Sequence, residues 1–158
     1  MTGVQTCALP ILPGIYAADR LPIARLRAGT PALLPEDDAY TNHVHADDLA
    51  AMVVAALRAA RPCRVYNASD DSRLKMGEYF DRVADRFGLP RPPRLPWSEA
   101  RQRIPAGMLS FMGESRQLSN QRVKRELRVR LRYPTVDDGL AAALAPRAAD
   151  ERGGGIRP

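Results

Sequence analysis

The chain is poor in lysine, cysteine, histidine and aromatic rings, and each scarcity excludes something. Lys75 and Lys124 are its only lysines, so 22 of the 24 cationic side chains are arginines. An arginine excess spread along the whole chain, behind a net charge of +6, looks like the product of GC-rich coding and lacks the clustering of a phosphate-binding surface. The densest basic stretch, Arg122 to Arg132, reads as a solvated helix face running into an edge strand, and no nucleic-acid partner is expected. Cys7 and Cys63 form neither a disulfide framework nor a metal-ligand spacing. His43 and His45 would share one face of a strand, and Asp47 or Asp48 could join them at a metal, but nothing supplies further ligands and no metal is expected. No apolar run approaches the roughly 20 residues that span a bilayer. The opening residues lack a basic segment followed by an apolar core, so no membrane partner is expected and the expected location is cytoplasmic.

What is present suits one ordinary domain. The 158 residues, 45% hydrophobic and 27% charged, are enough to bury a core and sit near the globular average. Leu12 to Tyr16 reads as the end of a strand, and Pro22 to Ala28 as a short helix stopped by Gly29 and Pro31. Ala39 to Val44 reads as a strand entering a helix whose first turn holds Asp47 and Asp48, where carboxylates accept backbone N–H groups. Leu49, Met52, Val53, Ala56 and Leu57 give that helix its buried face, and it stops before Pro62. Arg64 to Ala68 is a strand, Ser69 to Ser72 a turn, and Met76 to Phe87 an amphipathic helix ended by Gly88. The prolines from Pro90 to Pro96 make an extended connector. A helical stretch then runs from about Ser98 to Met112, interrupted near Pro105 and Gly107. Ser119 or Asn120 caps a helix through Leu127, Val129 to Tyr133 reads as a strand, and Thr135 caps a last helix through Leu144. Trp97, Met108, Phe111 and Met112 read as the core of a small subdomain, with a substrate lid as the alternative.

The two ends are set apart. Thr2 to Ile11, TGVQTCALPI, resembles the read-through translation of a sequencing-library adapter, so residues 1–11 are expected to be an artefact; a short natural strand over Cys7 to Ile15 is the alternative. From Pro146 onward the chain has little to bury, and residues 146–158 are expected to be a disordered tail.

Four stretches carry a family resemblance. LPGIYAADR (Leu12 to Arg20) is similar to an R-P-G-x-I-Y-G-P-G-R segment, TNHVHADDLA (Thr41 to Ala50) to H-V-x-D-L-A, and RVYNASDD (Arg64 to Asp71) to a Y-N-V-x-x-D strand. Ser119 to Leu144 is similar to a closing S-N-x-R-x-K-x-E-L segment followed by Y-P and G-L. In this order they resemble the second half of an NAD(P)-dependent epimerase/dehydratase of the extended short-chain dehydrogenase/reductase type. The resemblance implies an α/β fold over residues 12–145. It would be the C-terminal part of a Rossmann-type fold, incomplete, with its last parallel strands and a small helical substrate-binding subdomain.

That family's chemistry is hydride transfer with a nicotinamide, using a Tyr-x-x-x-Lys pair and a glycine-rich turn for the pyrophosphate. Neither is in this chain: Tyr16, Tyr40, Tyr66, Tyr79 and Tyr133 all lack a lysine four residues on. No catalytic residue is therefore expected, and NAD or NADP belongs to the parent protein. By resemblance Pro13, Gly14 and Ile15 lie beside the cofactor, while Tyr16, Arg20 and Asn67 face a small-molecule substrate. Asn67 has a plainer alternative as a strand-end residue satisfying a turn, and Arg20 as a solvated loop cation. Ala17 and Ala18 replace the family's Gly-Pro. Thr41 stands where nucleotide-sugar epimerases place an arginine on the diphosphate. His45 matches a structural hydrogen-bonding residue, and Asp48 a helix cap. The expectation is a fragment contributing the substrate side of a cleft and inactive alone. A binding or regulatory module using residues 122–132, or a partner completed by another subunit, are the alternatives; oligomeric state is left open.

Overall fold

The computed structural model describes residues 9–11, 14–104 and 106–145. Residues 1–8, and with them most of the adapter-like segment, lie outside that range, as do Pro13 and the tail from residue 146. Eight short strands and seven helices are described: β1 Leu9–Ile11, β2 Gly14–Tyr16, α1 Ile23–Arg27, β3 Ala32–Leu33, β4 Tyr40–Thr41, β5 His43–His45, α2 Ala46–Ala59, β6 Val65–Asn67, β7 Leu74–Lys75, α3 Met76–Arg86, β8 Arg94–Leu95, α4 Trp97–Arg103, α5 Ala106–Met112, α6 Gln121–Glu126 and α7 Val136–Leu144.

The strands form four pairs, three of them parallel. β1 runs beside β6 with Leu9 opposite Val65 and Ile11 opposite Asn67. β2 runs beside β5 with Gly14 opposite His43 and Tyr16 opposite His45. β3 runs beside β8, and only β4 and β7 are antiparallel. Parallel pairing requires a crossover between partners, and between β2 and β5 the chain passes through α1. The fold is α/β, as the resemblance implies.

Local sequence sets the helix ends. Gly29 and Gly88 take φ of 61° and 63°, the left-handed region that lets the chain leave α1 and α3. Thr30 N–H then reaches back to the Arg25 carbonyl and Leu89 N–H to the Ala84 carbonyl, satisfying last-turn acceptors. Thr135 caps α7 as expected, its N–H donating to the Asp138 carboxylate at 2.9 Å.

The core has three parts. One gathers Tyr16, Leu26, Phe80, Val83, Val136 and Leu140 between α1, α3 and α7. A second joins Val44, Met52, Tyr66, Val123 and Leu127 under α2 and α6. The third, Leu33, Ala100, Ile104, Leu109 and Met112 with Trp97 against it, is the helical subdomain core expected of Trp97 and Met112. The side chains of Met108 and Phe111 lie outside the described ones.

Several readings are corrected. Val53 and Leu57, read as part of the buried face of α2, are 44% and 84% exposed, because that helix buries only Met52 and its neighbours against the second core. Val129 to Tyr133 is not a strand: Arg128 turns at φ 54°, and the N–H groups of Arg132 and Tyr133 donate to the Asp48 carboxylate at 2.7 and 2.8 Å instead of to a neighbouring strand. Asp48 consequently does not cap α2; His45 Nδ1 does, accepting from the Asp47 N–H at 3.2 Å. Asn120 stands at the cap position of α6, but its amide donates to the Ser69–Asp71 turn. β4 falls within the Ala39–Val44 stretch read as a strand, whereas β3, β7 and β8 lie in stretches read from sequence as loop or connector.

Candidate functional site

Polar groups of this chain converge where β6 ends and at the β4–β5 junction. There the strap from Glu114 to Asn120 crosses, held by two asparagines. Asn42 treats it as a strand would: its Nδ2 donates to the Arg116 carbonyl at 2.9 Å and its Oδ1 accepts from the Leu118 N–H at 2.8 Å. Asn67 Nδ2 donates to the Ser119 carbonyl at 3.1 Å. Near Tyr40 the strap is fastened by Arg116 N–H to the Tyr40 carbonyl and by Tyr40 N–H to Ser115 Oγ. The Asn42 carbonyl in turn accepts from the Gly14 N–H at 3.0 Å, linking β2 to the same construction.

Between the strap and the Asp70–Arg73 turn lies a polar cavity of about 400 Å³, lined by Tyr40, Thr41, Asn42, Arg73 and Gln117 to Gln121. Arg73 reaches across it to Gln117 Oε1 at 2.7 Å. Lys124 closes on Asp71, whose carboxyl Lys124 and Asn120 hold below its ordinary value although burial pushes it up. A second depression of about 350 Å³, between α2 and α6, is lined mainly by apolar side chains such as Leu49, Val53, Leu57 and Val123. It lacks convergent polar groups, so the polar cavity is the candidate site.

Beneath the cavity is a buried titratable cluster. His43 stacks on Tyr79 with ring centroids 4.1 Å apart, and His45 lies edge-on to Tyr16 at 5.3 Å. Burial lowers His43 to about 4, so its ring is neutral at pH 7. Burial raises the hydroxyls of Tyr16 and Tyr79, with the Asp70 charge adding to both. Among the described residues no group of three or more histidine, cysteine, aspartate or glutamate side chains is arranged to hold a metal ion.

The expected site residues separate into three groups. Pro13 lies outside the described residues. Gly14 is exposed, and a Cβ there would meet only the Asn42 carbonyl at 3.4 Å and the His43 ring at 3.5 Å; Ile15 packs into the second core. Asn67 does not line the cavity, and its amide is committed to the strap. Tyr16 is 2% exposed, its hydroxyl donating to the Thr135 carbonyl at 3.3 Å, so it holds β2 to α7 from inside the core. Arg20 is exposed, 4.0 Å from Asp19. Sequence reasoning missed Asn42, Arg73, Gln117 and Asn120, because their convergence depends on a strap that joins residues more than 40 positions apart. The one local signal was the asparagine in each of the T-N-H and S-N pairs.

A nicotinamide cofactor would find at Gly14 a small residue that tolerates close approach. It would not find its phosphate site, because the chain has no glycine-rich turn between a strand and a helix. The residues present do not by themselves fit the cofactor.

No family model matches the sequence, and no curated protein matches it. Solved structures do. A conserved protein of unknown function from Silicibacter pomeroyi superposes with a TM-score of 0.74 at 31% identity, over 85% of this chain and 47% of that one. A human epimerase family protein solved with NADPH gives 0.70 at 15% identity, over 86% and 47%. A putative NAD-dependent epimerase/dehydratase from Methylobacillus flagellatus gives 0.59 at 25% identity, over 90% and 48%. The fold is therefore that of the Rossmann-type epimerases, of which this chain spans just under half the length. No described helix is long and apolar enough to cross a membrane.

Proposed function

We propose that this chain supplies the substrate side of the cleft in a longer NAD(P)-dependent epimerase/dehydratase-like protein and performs no hydride chemistry alone. The observation that carries the reading is the polar cavity between the Asp70–Arg73 turn, which follows β6, and the strap, in the region after a strand's carboxyl end where α/β folds bind their ligands. The chemistry of the walls agrees. Amides, hydroxyls, the carboxyl groups of Asp70 and Asp71 and a single arginine already committed to Gln117 suit a small polar substrate.

Within this proposal residues 12–145 are the working portion, residues 1–11 are the artefact and residues 146–158 a tail, in a cytoplasmic protein. Pro13, Gly14 and Ile15 form the cofactor side, and Gly14 contributes backbone at close range. Asn67 shapes the substrate side by holding the strap, and Arg20 offers its planar cation from an exposed loop. Tyr16 acts by fixing β2 against α7.

Calorimetric titration of the 158-residue chain with NADH and NADPH tests this. Binding weaker than about 1 mM and no turnover are expected. Saturable micromolar binding would show that the phosphate grip resides in this chain and end the proposal. Coding sequence read upstream of Leu12 should continue into a glycine-rich strand–turn–helix.

A further inference from the structure

The turn from Ser69 to Ser72 is tied to three separate elements. Asp70 N–H donates to the His43 carbonyl on β5 at 2.7 Å, and Asp71 N–H to the Pro134 carbonyl ahead of α7 at 2.7 Å. Ser72 Oγ accepts from the Val136 N–H at 2.8 Å. From the side of α6, Asn120 Nδ2 donates to the carbonyls of Ser69 and Asp70 at 2.8 and 3.1 Å and to Asp71 Oδ1 at 2.8 Å.

Within this lattice Asp70 is 5% exposed. Its Oδ1 accepts from the Ser72 N–H at 2.9 Å, while its Oδ2 is buried with no hydrogen-bond partner among the described residues. His43 Nδ1 and Ser69 Oγ are buried and unpartnered in the same way. The groups that face Asp70 offer it no compensation when ionised. Asp48 of α2 and Asp71 are both anionic, Tyr16 of β2 and Tyr79 of α3 present hydroxyls, and Lys124 of α6 is spent on Asp71. An ionised carboxylate with one oxygen unsatisfied is among the costliest groups to keep buried, whereas the neutral acid is tolerated.

We propose that the Ser69–Ser72 turn is a proton-operated latch on the polar cavity, docked when Asp70 is neutral and released when it is ionised. Burial pushes the Asp70 carboxyl up to about 7 against the hydrogen bonds from Ser72, with Asp71 and Asp48 adding to the rise. Release frees the carbonyls that Asn120 grips, and with them the contact between the turn and the strap, so the cavity opens from one wall. That this opening admits a substrate rests on the reading of the cavity given above; the titration and the motion do not.

The test uses the full chain. Carbon-detected NMR follows the Asp70 carboxyl through neutral pH, and amide exchange, corrected for base catalysis, follows Asp70, Asp71 and Ser72 alongside Val83 in α3. The carboxyl midpoint is expected near 7. Protection of the turn should fall about tenfold for each pH unit between 3.8 and 7 and level off above it, while Val83 stays unchanged. Asp70→Asn should remove the pH dependence, and Asp71→Asn should move the Asp70 midpoint down. A midpoint below 5, turn amides indifferent to pH, or a loss of protection that persists in Asp70→Asn each overturn the latch. The wild-type titration decides the matter even if Asp70→Asn does not fold. Ligand binding that fails with the latch intact counts against the cavity reading alone.

Discussion

The ring of Tyr16 lies directly against the backbone of Gly139, so that a Cβ at that glycine would stand 2.5 Å from both the tyrosine hydroxyl and Cε2. In an open helix, alanine would stabilise this position by about 1 kcal/mol over glycine. Here the clash outweighs that gain, because Tyr16 is sealed in the core and cannot step aside. Gly139→Ala should lower the urea midpoint with unchanged slope, for a net loss of about 1–2 kcal/mol. In a Tyr16→Leu background the loss should shrink. A more stable Gly139→Ala protein would mean that the ring moves freely.

Asp48 is 3% exposed and spends both oxygens on the backbone of residues 132 and 133. Charge-assisted bonds of this kind contribute about 1.5–3 kcal/mol each before relaxation. Asp48→Ala should cost about 3 kcal/mol in chemical denaturation. Asp48→Asn, which keeps one acceptor, should cost distinctly less. Equal costs would show that the two bonds do not act separately.

Two buried groups pull the pH dependence of stability in opposite directions. Asp70 is raised from 3.8 to about 7, so its contribution is full below pH 3.8 and is lost as pH rises toward 7. His43 is lowered from 6.5 to about 4; protons bind the unfolded form first, and stability is lost as pH falls from 6.5 toward 4. Between these limits the two slopes nearly cancel. Asp70→Asn should expose the histidine limb, with stability rising by up to about 1.4 kcal/mol per pH unit relative to wild type across that window. Parallel wild-type and variant curves would refute the opposition.

Asn42→Ala removes both backbone bonds to the strap and should cost about 1–3 kcal/mol. Asn42→Asp keeps the acceptor for Leu118 but leaves the Arg116 carbonyl without its donor, and should fall between. Faster amide exchange at Leu118 in both variants, graded in that order, is the expected readout. Unchanged exchange would mean that the strap is held elsewhere.

How much of this was legible in the sequence depended on range. The helices around Met52 and Val83 announced themselves through apolar spacing, and Gly29, Gly88 and Thr135 marked the ends of α1, α3 and α7 by local backbone chemistry. The order of four short segments was enough to indicate the fold. What stayed hidden was settled by distant partners. The strand expected at 129–133 gave way because Asp48, more than 80 positions earlier, takes its N–H groups. Tyr16 looked like a substrate contact because nothing nearby in sequence reveals the Gly139 surface that receives it. The cavity could not be read in advance because Asn42 and Asn67 acquire their roles only when the strap crosses them, and Asn120 only when the Ser69–Asp71 turn meets it.

The outer side of α2 governs how this polypeptide handles at the bench. Val53 and Val54 are nearly half exposed and Leu57 is 84% exposed, on a helix whose charged residues are confined to its two ends. Attraction between such faces draws on the release of ordered solvent and therefore strengthens on warming. Concentrated samples are therefore expected to stay dispersed longer in the cold than when warmed.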